Sequence, residues 1–196
     1  MNWAIFAIAA WLALGIDLGL GPTLALGGRG GVVPSVAIAF TAYVAMWAPP
    51  RTALWAALLI GAAIDLTSEL ALAGRGTGVL LGPNALGVLF GTQFVLAARS
   101  LVVRKNPLSL MVMTTAASLS AQIVVLAVIS ARELIGNRLG FFGTPLAWDT
   151  RLELEERALS SLYSGLVSLV VAVVLIPLTP LFSFVTPTQA RWTRRS

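Results

Sequence analysis

The chain has no cysteine and no histidine in 196 residues. Without cysteine there is no disulfide, no thiolate metal site and no thiol nucleophile. Without histidine the commonest general base and the commonest metal ligand are gone. Charge is scarce too: 11% of the residues are Asp, Glu, Lys or Arg, against about a quarter in soluble domains. What fills the space is apolar. Hydrophobic residues make up 58% of the chain and the mean hydropathy is +0.90. Uncharged runs occupy 1–16, 30–50, 52–64, 76–98, 106–131 and 158–190, and runs of roughly 18 or more apolar residues suffice to cross a bilayer core. The sequence therefore reads as all-α and polytopic, a compact bundle of about six transmembrane helices. A cleaved leader is not expected at the N-terminus, because the first segment lacks a basic flank and the chain behind it stays apolar. The formal charge of +5 does not suggest nucleic acid. Its basic residues are scattered between apolar segments, where they meet lipid headgroups.

The expected helices cover 3–20, 32–47, 52–70, 77–98, 108–129 and 159–182, within a single membrane domain over 1–196. Pro107 stands at a favourable helix start, and Pro177 and Pro180 mark a kinked or frayed end to the last helix. Residues 132–158, "RELIGNRLGFFGTPLAWDTRLELEER", are expected as an extracytoplasmic loop with a short helix. In it Thr150-x-x-Glu153 reads as a capping box leading into the last span. Glu153, Glu155 and Glu156 read as a solvated helix extension or as a docking surface.

Loop charge sets the orientation. Arg51, Arg99, Arg104, Lys105, Arg191, Arg194 and Arg195 fall on one side, with no acidic residue. Arg29, Arg75, Arg132, Arg138, Arg151 and Arg157 fall on the other, offset by Glu69, Glu133, Asp149, Glu153, Glu155 and Glu156. The first side is expected to be cytoplasmic, with both termini on it.

Two phrases carry the ionisable residues that lie inside apolar runs. They are "WLALGIDLGLGPTLALGGRG" at 11–30, with Asp17, and "LLIGAAIDLTSELALAGRG" at 58–76, with Asp65 and Glu69. A carboxylate at membrane depth is costly and needs a partner, water or a purpose. Three readings stand open: pairing with Arg29 or Arg75 across a Gly-rich turn; a proton, ion or substrate site; or a polar anchor for the outer face or a partner helix. The phrases suggest a faint duplication, though the offsets differ, 48 residues between the aspartates and 46 between the arginines.

The fourth segment contains "GVLFG", Gly87 to Gly91, a small-xxx-small spacing that lets helices approach closely. Thr114, Ser118 and Gln122 share one face of the fifth helix, and Ser160, Ser164 and Ser168 share one of the sixth. Both stripes suit helix packing with some hydrogen bonding. "GRGTG" and "GRGG" lack the lysine of a phosphate-binding loop. Neither a metal-ligand set nor a nucleophile with its base is found. Chemistry would have to run on two separated aspartates and Glu69, so the expectation is a protein that is not an enzyme and has no cofactor and no metal.

Set together, several features resemble the MreD family of rod shape-determining membrane proteins. Pro34 in "VVPSVAIAF" opens the second helix, Gly61, Asp65 and Leu66 form G-x-x-x-D-L, and Gly82, Asn84, Ala85 and Leu86 stand in "LGPNALGVLFG". The basic "RSLVVRKNPL" fits the family's short cytoplasmic loop. The resemblance is best over 32–131, and the stretch from Asp65 to Gly82 is longer than the family's usual turn. It implies a non-enzymatic scaffold of the cell-elongation complex in a bacterial inner membrane. Its implied partners are an MreC-like membrane protein, the peptidoglycan glycosyltransferase and transpeptidase and, indirectly, MreB filaments. It also implies a fold similar to the substrate-binding subunits of energy-coupling vitamin transporters. The structural or partner-binding candidates are Asp17, Pro34, Gly61, Asp65, Leu66, Glu69, Gly82, Asn84, Gly87 and Gly91. The rival expectation is such a subunit of a small-molecule importer, with an outward pocket near Asp65, Glu69 and Arg75 and with Asn84 and Gln93 as polar lining.

Overall fold

The structure, a computed structural model, describes residues 1–26, 31–71, 77–139 and 150–184. Six helices dominate it: α1 (Trp3–Leu24), α2 (Val36–Trp47), α3 (Pro50–Thr67), α4 (Pro83–Ala98), α5 (Pro107–Leu139) and α6 (Thr150–Leu178). Two short strands, β1 (Glu69–Ala71) and β2 (Thr77–Val79), form an antiparallel hairpin between α3 and α4. A bridge between Leu26 and Val32 occupies the equivalent place between α1 and α2. The chain is a helical bundle with several long apolar helices, consistent with a polytopic membrane protein. Three spans are long and apolar enough to cross a bilayer, Trp3–Leu24, Pro107–Arg132 and Leu154–Phe182, while Val36–Trp47 and Pro83–Ala98 are apolar but shorter.

Several boundaries differ from those the sequence suggested. The fourth helix starts at Pro83, because Thr77–Val79 pairs with Glu69–Ala71 as a strand. The second starts at Val36, with Ser35 as its N-cap and Pro34 just before it. The fifth runs on to Leu139, so 132–139 is helix where a loop was expected. Thr150 opens α6, which continues unbroken into the last apolar segment. The side chains of Thr150 and Glu153 lie outside the described residues, and so does the proposed capping box. Pro177 lies within α6, whose last turn gives way to a 3-10 helix over Thr179–Phe182.

The centre of the bundle is α2, which touches all five other helices. Every residue from Ala37 to Met46 is buried. Its alanines let neighbouring backbones close in, while Phe40, Tyr43 and Met46 fill the remaining space. Toward its carboxyl end Phe40 and Tyr43 join Phe6, Phe182 and Phe184 in an aromatic cluster with centroids 5.5 to 6.5 Å apart. There the start of α1 meets the 3-10 helix: the Asn2 N–H donates to the Phe182 carbonyl at 2.9 Å.

The α4–α5 contact rests on glycine. A Cβ on Gly87 would lie 2.6 Å from the Ala121 carbonyl oxygen, and one on Gly91 would meet the Ala117 carbonyl just as closely. The "GVLFG" spacing is thus a helix-packing seam.

Candidate functional site

The two aspartates do the same thing. Asp17, late in α1, sits over the amino end of α2. Its Oδ1 accepts the Val36 N–H at 2.6 Å, and its Oδ2 accepts the Ala37 N–H at 3.1 Å and the Ser35 hydroxyl at 2.8 Å. Asp65, late in α3, sits over the amino end of α4. Its Oδ1 accepts the Asn84 N–H at 2.9 Å, and its Oδ2 accepts those of Gly82 at 2.8 Å and Ala85 at 3.0 Å. Both carboxylates reach the backbone 19 and 20 residues further on. The likeness of the two "IDL" phrases is therefore repeated in three dimensions.

The starts of these two short helices carry backbone donors that need an acceptor. At 1.5 Å per residue α2 and α4 extend only about 18 and 24 Å, short of a hydrocarbon core of about 30 Å. The first N–H groups of each helix have no partner within the helix, and at the starts of α2 and α4 they lie inside the bundle beside the buried Ala37 and Ala85. A carboxylate from the preceding helix accepts those hydrogen bonds and faces the positive end of the helix dipole. Asp65 is 1% exposed, and its three backbone donors compensate the burial of its charge.

The other candidates fall around these two clasps. Gly82 is the N-cap of α4 at φ +125°, a left-handed conformation that favours glycine and lets its N–H turn toward Asp65. Gly61 makes room for the clasp, since a Cβ there would come within 2.6 Å of Ala85 Cα and 2.9 Å of the Asn84 carbonyl. Pro34 precedes the capped start of α2. Leu66 points outward, 65% exposed. The backbone of Glu69 pairs with Val79, while its side chain lies outside the described residues. So do Arg29 and Arg75, the arginines expected as ion-pair partners. Among the described residues, backbone N–H groups and the Ser35 hydroxyl take that role.

Three features escaped the sequence reading. Arg99 donates from Nη1 to the carbonyls of Ala45 at 3.1 Å and Ala48 at 2.8 Å, capping the carboxyl end of α2. That helix therefore has an anion at its amino end and a cation at its carboxyl end, both favourable to its dipole. Burial, and after it the charge of Arg104, lowers the Arg99 pKa from the usual arginine value, yet arginine remains protonated at physiological pH. Second, the Ser164 hydroxyl accepts the Ser35 N–H at 2.9 Å and the Ser160 hydroxyl donates to Val33 O. The serine face of α6 thus joins the cap of α2. Third, Ser118 bonds Ser161 at 3.0 Å and Arg157 donates to Gln122, tying α5 to α6. The sequence revealed these polar stripes but not their partners, which lie 35 to 129 residues away.

Among the described residues no three Asp or Glu side chains come together to hold a metal ion. A gap between α2, α4 and α5, lined by Thr41, Val88, Thr92 and Ala117 among others, has room for about one water molecule. No family model, curated protein or solved structure matches the chain.

Proposed function

We propose that this protein is a non-enzymatic membrane scaffold of the MreD kind. In this reading it crosses a bacterial inner membrane six times, with both termini in the cytoplasm, and holds an MreC-like partner within the cell-elongation complex. The observation that carries the proposal is the commitment of both intramembrane carboxylates to helix ends. Groups that would bind substrate, take up a proton or coordinate an ion are instead spent on holding helices together, which suits a protein whose product is its own shape. The G-x-x-x-D-L and Gly-x-Asn-Ala-Leu motifs of the resemblance form one clasp, Gly61 and Asp65 against Gly82, Asn84 and Ala85. A similarity to vitamin-importer subunits would be one of bundle architecture.

The test is gentle purification of the tagged full chain from its native membrane, with mass identification of what stays bound. Recovery of a single-pass coiled-coil protein, with or without a glycosyltransferase–transpeptidase pair, is expected. Recovery of an ATPase module or a tightly held small metabolite would overturn the scaffold in favour of an importer subunit.

A further inference from the structure

The α4–α5 connection presents a surface of different character from the rest. Leu101 is 85% exposed, the highest value for a large hydrophobic side chain among the described residues, and Val103 is 69% exposed. Ordered turns hold both outward. The Leu101 N–H bonds the Ala98 carbonyl at 2.9 Å, the Asn106 N–H bonds that of Val103 at 3.1 Å, and Asn106 Oδ1 accepts the Leu108 N–H at 3.0 Å. Arg99, anchored on the carboxyl end of α2, fixes the start of the connection.

Beside these apolar residues stand Arg104 and Lys105, both exposed. Arg51, also exposed, lies in the first turn of α3, just past the corner that Arg99 grips. Among the described residues no acidic side chain at this end offsets the charge. No acidic residue occurs between Glu69 and Glu133, and Asp17 and Asp65 both sit toward the opposite ends of their helices. The apolar surface does not stop at the loop. It continues along α4 through Phe94 and Phe90 and along α5 through Leu108 and Val112, all exposed.

We infer that the α4–α5 connection, with Arg51, is a binding site for an anionic phospholipid, whose phosphate meets Arg51, Arg104 and Lys105 while its acyl chains follow Leu101, Val103 and the outer faces of α4 and α5. Charge complementarity selects an anion. The unbroken passage from basic head to apolar flank selects a lipid over an acidic polypeptide, which would leave the apolar faces of both helices without a partner. The site does not depend on the scaffold reading, since a lipid is bound in the same way by an importer subunit.

The experiment is native mass spectrometry of the full chain in detergent, titrated separately with phosphatidylglycerol and phosphatidylcholine. The wild type is expected to retain phosphatidylglycerol preferentially. The pair Arg104→Gln and Lys105→Gln should weaken that retention roughly fivefold per charge removed, about 25-fold together, and leave phosphatidylcholine unchanged. Equal retention of both lipids by the wild type, or wild-type retention by the double variant, would overturn the site. Chromatographic profile and melting temperature check that the variant is folded. The absence of native cysteine allows a second readout: Leu101→Cys carrying an environment-sensitive fluorophore. Its emission should shift to the blue in phosphatidylglycerol vesicles and revert at high salt. A probe that stays in water in those vesicles would also sink the proposal, leaving a soluble acidic partner to explain the patch.

Discussion

At the scale of single residues, Asp65 is held by geometry that an amide cannot copy. Its Oδ2 accepts two N–H groups, from Gly82 and Ala85. In Asp65→Asn either that oxygen becomes an NH2 facing two donors, or the flipped amide faces the Asn84 N–H. Charge-assisted bonds are worth roughly 1.5–3 kcal/mol, and an orphaned buried donor costs a similar amount. Asp65→Asn should therefore lose about 2 kcal/mol or more, read as a lower melting temperature in detergent. Asp17→Asn should behave alike, since Val36, Ala37 and Ser35 all donate to it. If the carboxylates acted only as ion-pair partners of arginines, removing the arginines would reproduce these losses. Arg29→Gln and Arg75→Gln are expected to leave the melting temperature near that of the wild type.

At the scale of elements, the α4–α5 seam depends on two missing side chains. Gly87→Leu would drive carbon into the Ala121 carbonyl, and overpacking of this kind costs roughly 1–3 kcal/mol or displaces the helix. Gly19→Leu is the matched control, because a Cβ there meets nothing within 4 Å. Its melting temperature should stay near that of the wild type; equal losses in both would remove the seam from the account. Elements were also where sequence reading reached its limit. Apolar runs overlap the helices of the described residues, but hydropathy alone cannot tell Thr77–Leu81 from the first turn of a helix. The decisive signals were local, Gly82 with its positive φ and Pro83 at the first helical position. The aspartates stood out as anomalies in apolar segments, whereas their partners, the Ser35 hydroxyl apart, are backbone N–H groups that carry no mark in the sequence. Arg99 read as one loop cation among several because its acceptors lie 51 and 54 residues earlier.

At the scale of the whole molecule, one contact constrains topology. Asn2 and Phe182 share a backbone hydrogen bond, so α1 begins and α6 ends on the same side of the bundle. Reporter enzymes fused before Met1 and after Phe184 should give the same compartment. In the orientation proposed above from loop charge, that compartment is the cytoplasm. Opposite readings from the two fusions would contradict the fold, while a shared extracytoplasmic reading would reverse only the orientation.

The span of the two clasps has a consequence for how the protein is made. Each carboxylate finds its partners within about 20 residues of itself, so the amino end of α2 is satisfied as soon as α1 and α2 lie side by side, and likewise that of α4 beside α3. Under the proposed six-span topology, neither short helix enters the bilayer alone with its N–H groups bare. During synthesis the chain can be handed from the ribosome to the membrane as closed pairs, α1 with α2 and then α3 with α4. The long helices α5 and α6, last in sequence, add their own ties, Ser118 to Ser161 between them and Ser164 to the Ser35 N–H at the start of α2.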